Sequence, residues 1–317
     1  MRKIYAIGNG KIVVKEKCLV FEKFKSGKKI SNKIPIENLD LIICIGNIGL
    51  SPNSIKSILR KEIKVIFLNS EGFLKGILLP IGKAFSSIYV NQCHYFLEKR
   101  LEIARSIVNG LKISAIKTLE LIKTDTLIEG AIEELKEIEI DGNIQEIMGF
   151  ESQIWKVIYD VIRIKYDNEF KREYNPPKDE INCLISYGNS ILYSIILLKI
   201  IEEGLNPKIG FLHKNEESRY SLVLDMSEIF KPFVVLLLNL SLLKNNLLNQ
   251  SHFDNRDGTT LLNLVGRSIY LKYFENFLQE KMNIFPCKRK NLESFISFEI
   301  KKLRECIVSF KEYVPWA

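Results

Sequence analysis

The hydrophobic period of this chain changes once, near Asn91, from 2 to 3.6, and that switch limits the fold more than any other feature of its 317 residues. Before it, runs at Lys3 to Ile7, Lys11 to Phe21, Ile30 to Ile36 and Leu41 to Ile45 read as β-strands, with turn signals at Gly8-Asn9-Gly10 and Ser26-Gly27. Pro52 to Lys61 carries helical spacing at Ile55, Ile58 and Leu59, and Val65 to Leu68 and Phe73 to Leu79 return to strand character. After the switch, His94, Leu97, Leu101, Ala104, Ile107, Val108 and Leu111 make one apolar stripe of a long helix, with Lys99, Arg100, Arg105 and Lys112 largely off it. The pattern predicts an α+β, multidomain chain. A small all-β domain spans residues 1–83, with strand edges available for pairing with a second copy, and an all-helical domain spans 84–317.

Within the helical part, Leu127 to Ile140 is an acidic helix that Asp141-Gly142 breaks. Glu151 stands at the head of an apolar helix through Trp155, Val157, Ile158, Tyr159 and Ile162, where a carboxylate also complements the helix dipole. Ile181 to Ile201 is apolar almost all round, which in a soluble chain marks the centre of a helical core. Phe233 to Leu248 reads as another buried helix. A further one opens at Gly266-Arg267 with Tyr270, Tyr273, Phe274 and Phe277 as core, and Phe295 to Phe310 is the last.

A net charge of +8 and a pI near 9.0 favour a polyanionic partner such as nucleic acid. Six cysteines without a C-x-x-C pair suggest neither a zinc knuckle nor a disulfide framework. The longest apolar runs, Ile191 to Leu198 and Phe233 to Leu238, fall short of the roughly 20 residues of a membrane span, and Met1-Arg2-Lys3 leads into a strand pattern rather than a signal sequence. The chain is expected in the cytoplasm, with reduced thiols and no membrane contact.

Chemistry gathers in Gly210-Phe211-Leu212-His213 and Ser221-Leu222-Val223-Leu224-Asp225-Met226-Ser227-Glu228. Asp225 and Glu228 are spaced i,i+3, so on a helix they share a face and can aim at one cation or one phosphate; the same Asp-x-x-Glu spacing is also a capping box. His213, at the end of an apolar run, reads either as a ligand or as a hydrogen-bonded residue at the core edge.

With Met148-Gly149-Phe150-Glu151, Pro176-Pro177-Lys178-Asp179, Asn182 and Ser186-Tyr187-Gly188-Asn189, these motifs in this order resemble the CRISPR-associated integrase of the spacer-acquisition machinery, also described as a metal-dependent DNA endonuclease. The resemblance runs the length of the chain. It implies a metal site at Glu151, His213 and Asp225, with Glu228 at the position of a further acidic residue. It also implies Mg²⁺ or Mn²⁺ as cofactor, homodimerisation through the β-domain, and a small ferredoxin-like CRISPR-associated partner. Its DNA substrate would be double-stranded, branched or single-stranded at its ends. Carboxylates with one imidazole are a hard donor set that suits Mg²⁺ or Mn²⁺ better than a closed thiolate zinc site. Arg172, Lys178, Lys214 and Arg219 stand near these motifs and are candidate phosphate contacts. Leu236-Leu237 and Leu264-Val265 replace charged pairs of many relatives. Three activities are compatible with this reading: insertion of short DNA fragments by 3′-hydroxyl attack, stand-alone cleavage of branched DNA, and DNA binding by a non-catalytic scaffold.

Overall fold

The computed structural model describes residues 2–25, 28–82, 85–122, 125–174, 176–282 and 291–316. The Ser26-Gly27 turn, Asn175 of the proline loop and Cys287 lie outside the described residues. The α+β class holds, with strands leading and helices following.

Eight strands come first: β1 (Lys3–Ile7), β2 (Gly10–Lys15), β3 (Cys18–Lys25), β4 (Lys28–Pro35), β5 (Leu41–Ile45), β6 (Ile48–Leu50), β7 (Lys64–Leu68) and β8 (Leu74–Leu78), with helix α1 (Pro52–Arg60) before β7. They form two sheets, ordered β1-β5-β7-β8 and β4-β3-β2-β6. The expected strand from Lys11 to Phe21 is a hairpin instead. Glu16 and Lys17 both have positive φ, 49° and 59°, which makes a two-residue turn of the kind usually built from Gly or Asn. With neither residue there, the apolar pattern runs on through the turn. The pairs β1–β5 and β5–β7 are parallel, and α1 lies in the crossover between β5 and β7.

Strand β5 explains how the two halves are joined. All five of its residues are buried, as a strand covered on both faces requires. Alternation then divides them: Ile42 and Cys44 belong to a core shared with α1 and the second sheet, while Leu41, Ile43 and Ile45 belong to the core of the helical body.

The helical body comprises α2 (Ser86–Leu121), α3 (Thr126–Glu137), α4 (Ile144–Lys165), α5 (Glu180–Glu202), α6 (Ser221–Glu228), α7 (Leu240–Lys244), α8 (Leu264–Gln279) and α9 (Leu292–Ser309). The predicted stripe of α2 is only partly a core face. Ala104, Ile107, Val108 and Leu111 are buried, but Leu97 and Leu101 are exposed in the first half, where the helix projects along the surface. The predicted buried helix from Phe233 is π-wound over Phe233–Asn239 before it becomes α7. A hairpin of β9 (Phe253–Arg256) and β10 (Thr259–Leu262) interrupts the helices. Helix α5 has the length and mean hydropathy, 1.6, of a membrane span, yet two-thirds of that window is buried inside the protein. It is the core helix that its all-round apolar pattern predicts. The aromatics Tyr270, Phe274 and Phe277 are buried as expected.

A buried ion cluster adds to the seam. The ammonium of Lys3, whose side chain is wholly covered, lies 3.0 Å from Glu275 and 3.1 Å from Glu293, and the Tyr5 hydroxyl donates to Glu275 at 3.0 Å. Removing one partner of such a cluster strands the remaining charges. Lys3→Met should therefore lose about 3 kcal/mol in urea unfolding, and Lys3→Met with Glu293→Gln should recover part of it. Equal stability of the single variant and the parent would show that the cluster does not hold the seam.

Candidate active site: a cleft of two carboxylates and an imidazole

The loop that presents His213 is fixed from several directions. The buried Gln92 of α2 donates to the carbonyls of Asn206 and Ile209, at 3.0 and 2.9 Å, and accepts from the Asn206 amide at 2.7 Å. Arg100 donates to the Phe211 carbonyl at 3.1 Å, and the Asn215 side chain accepts from the Gly210 amide at 2.9 Å. Gly210 is required by close approach: a Cβ there would stand 2.6 Å from the Ser221 backbone and 2.7 Å from an Asp225 oxygen.

Asp225 closes this loop. Its carboxylate accepts from the backbone amides of Phe211, Leu212 (3.0 Å) and His213 (2.9 Å), and its Oδ1 accepts from His213 Nδ1 at 2.9 Å. It is 0% exposed. The capping-box reading fails, because α6 begins at Ser221 and places Asp225 in its interior. Asp225, expected as a direct ligand of an ion, has other partners in the structure. Its oxygens are turned to the loop and to the imidazole, so it fixes the ring's tautomer and orientation and leaves Nε2 free.

Glu228 is the acidic residue of α6 that lines the cleft. Its Oε2 accepts from Trp155 Nε1 at 2.9 Å and its Oε1 pairs with Lys231. Glu151 also lines the cleft, and its carboxylate has no hydrogen-bond partner among the described residues. It does not stand at a helix head: Asn143 and Glu146 form a capping box that starts α4 earlier, and Gly149 does not interrupt the helix. The cleft has a volume of about 380 Å³ and is bordered further by Tyr159, Arg172, Tyr174 and Tyr193.

The electrostatics follow from burial. Burial and the nearby Glu228 charge push the Glu151 carboxyl up to about 7, against the pull of Lys231 and His213. Burial disfavours a charged His213, but the hydrogen bond and charge of Asp225, together with Glu228, outweigh it and raise the imidazole above its usual value. Burial also disfavours a charged Lys231, and the Glu228 carboxylate more than compensates, holding the ammonium charged.

Among the described residues no three of His, Cys, Asp and Glu stand as a finished metal-ligand set. The donor chemistry nonetheless fits a hard divalent cation. An unpartnered carboxylate, a second carboxylate held only by Lys231 and Trp155, and a free imidazole nitrogen border one cleft. Of the candidate phosphate contacts, Arg172 reaches the cleft; its Nη1 donates to Asn182 at 2.7 Å and its guanidinium covers the Tyr174 ring at 4.5 Å. Lys178 is exposed and paired with Glu173, and Lys214 and Arg219 are exposed beside Glu216. Leu236 is buried, and Leu264 and Val265 are on the surface. The sequence reading missed Trp155 and Lys231, although each follows a site carboxylate at helical spacing, Glu151 at i+4 and Glu228 at i+3.

Fold and cleft together define an α+β protein whose helical body carries a part-buried acidic and imidazole site. The chain belongs to the Cas1 family: the model for CRISPR associated protein Cas1 matches residues 4–276. It is 30% identical to the CRISPR-associated endonuclease Cas1 2 of Moorella thermoacetica over 99% of this chain and 98% of that one. A solved Cas1 protein from Thermotoga maritima superposes with a TM-score of 0.81 at 30% identity, covering 99% of this chain and 98% of that one. Two more distant structures share the fold. A casposase bound to integration product has a TM-score of 0.83 at 23% identity, over 100% of this chain and 93% of that one. A chain of a Cas6-RT-Cas1–Cas2 complex has 0.80 at 18%, over 99% of this chain and 36% of that one.

Two outcomes follow from this geometry. Glu151 has a raised pKa, so its contribution to stability is full below its unfolded value of 4.5 and is lost as pH rises through about 7. Glu151→Gln removes that dependence. Its Tm should match the parent's at pH 4.5 and exceed it increasingly up to pH 8; a pH-independent difference would refute the buried-charge account. Asp225→Ala leaves buried amides unpaired and should cost about 3 kcal/mol, with faster hydrogen exchange at Phe211 to His213. Unchanged protection there would show that Asp225 does not hold the loop.

Proposed function

We propose that the cleft cleaves or joins phosphodiester bonds of DNA, with Glu151, Glu228 and His213 facing the reaction and Asp225 positioning His213. The observation that carries the reading is the meeting of two carboxylates, an imidazole and a charged lysine in one cleft, in a chain of net charge +8. A Mg²⁺ or Mn²⁺ held by Glu151, Glu228 and His213 Nε2 would neutralise charge developing at the attacked phosphate.

The chain's own groups divide the remaining work. Asp225 keeps the proton on His213 Nδ1, so Nε2 presents its lone pair to the cleft. Lys231, charged and 11% exposed in its side chain, offsets the two carboxylates and draws in phosphate. Arg172, Lys178, Lys214 and Arg219 hold the backbone of the nucleic acid and supply affinity that falls with salt. Attack by a DNA 3′-hydroxyl gives strand joining, and attack by water gives cleavage, from the same site. The casposase likeness supports joining, and the relative's name supports cleavage. The reading extends to a homodimer through the sheets and to a small ferredoxin-like partner; the likeness to a chain of a complex containing Cas2 supports the partner.

With Mn²⁺, a labelled fragment and a repeat-bearing plasmid, the parent should yield joined product. Glu151→Gln and Glu228→Gln should each lose roughly a hundredfold or more in rate while filter binding of DNA is kept. Mn²⁺ should also raise the Tm of the parent at pH 8 and not that of Glu151→Gln. Full activity of either variant, or of the parent in chelator, would leave DNA binding by a scaffold as the better reading. Cleaved but never joined product would favour a stand-alone nuclease.

A further inference from the structure

Phe73 combines exposure with rigidity. It is 43% exposed at the tip between β7 and β8, and that tip is tied on several sides. The Asn69 side chain accepts from the amides of Glu71 and Phe73 at 3.1 and 2.8 Å, and the Asn69 amide donates to the Phe73 carbonyl at 2.9 Å. Arg267 of α8 donates to the Ser70 carbonyl at 3.0 Å. Gly72, at φ +89°, lies against Tyr187 and Ser190 of α5, where a Cβ would come within 3.1 Å of the Tyr187 ring.

Phe73 also borders three cavities. One is the catalytic cleft, to which Phe73 is the sole contributor from the N-terminal sheets among the described residues. The second, about 420 Å³, adjoins it along Tyr174 and Ser186 and holds Arg256 and Arg267. The third, about 580 Å³, is apolar and continues the cleft past Ser190 and Tyr193. Tyr174, 70% exposed, shares the first two with Phe73, and its ring lies under the Arg172 guanidinium.

We propose that Phe73, together with Tyr174, stacks on an unpaired nucleobase of the DNA strand entering the cleft, so that the N-terminal sheets supply a substrate-positioning residue to the helical site. The inference rests on the DNA-processing reading of that cleft. A cleft of about 380 Å³ has room for one nucleotide, and an unpaired base is the part of an entering strand that can turn toward the exposed faces of Phe73 and Tyr174. A ring carried on a backbone that is tied in place has only its own two side-chain torsions to lose on stacking, and a stacking face accepts any base, which suits a site that must process DNA of unrelated sequence.

The test uses the full-length protein and a partial duplex with a 3′ single-stranded end carrying 5-iododeoxyuridine at successive positions. Irradiation should crosslink Phe73 at one or two positions next to the reacting phosphate, mapped by mass spectrometry. Phe73→Ala should lose that crosslink and raise KM roughly tenfold, in keeping with the loss of one stacked base. Phe73→Trp should keep both, and the Tm response to Mn²⁺ should be the same in all three proteins. Absence of a Phe73 crosslink in the parent, a parental KM in Phe73→Ala, or equal failure of the Trp and Ala variants would overturn the proposal. Crosslinking needs no turnover, so it is read independently of Glu228→Gln, whose full activity would instead overturn the assignment of the cleft.

Discussion

The site depends on one carboxylate that never reaches it. Asp225 takes three backbone amides and an imidazole N–H, and without it the turn from Gly210 to His213 would have buried donors facing nothing. The neighbouring constraints serve the same turn: Gly210 admits the carboxylate, Gln92 and Arg100 tie the segment to α2, and α6 carries Asp225 and Glu228 on successive turns. The imidazole's direction is thereby set by groups in the protein interior, while Glu151 and Glu228 stay at the surface of the cleft.

The second constraint is the double burial of β5. A strand that feeds alternate side chains into two cores cannot slip by one residue without exchanging Ile42 and Cys44 for Leu41, Ile43 and Ile45. Register in the sheet and the seating of the sheet on the helices are therefore one requirement. The hairpin tip that carries Phe73 inherits its place from that requirement, because β7 pairs with β5 in the same sheet.

The class of fold was legible from the single change of hydrophobic period, and so was the central place of α5, whose apolar residues leave no polar face to expose. The β2–β3 turn was not, because Glu16 and Lys17 adopt left-handed conformations without the residues that announce them. Glu151, His213 and Asp225, with Glu228 as a further acidic residue, were grouped through the resemblance their motifs carry, and Glu151, His213 and Glu228 border one cleft in the structure. Their division of labour was not legible: the i,i+3 spacing treats Asp225 and Glu228 as equals, and only the path of the 206–213 segment shows that one faces backbone and the other the cleft. Lys231 and Trp155 were hidden for a related reason, since a lysine before a proline and a tryptophan in an apolar helix carry no mark of what they touch.

The Lys231–Glu228 pair gives the cleft its own internal counter-ion. Two carboxylates near one another in a half-buried space repel, which together with burial holds the Glu151 carboxyl up near 7, and the Lys231 ammonium offsets only part of that repulsion. Under the proposed function, a divalent cation bound at Glu228 would compete with Lys231 for that carboxylate. The protein thus carries a positive charge of its own beside the acidic groups of the cleft, and a lysine displaced from Glu228 would be free to meet a phosphate in its place.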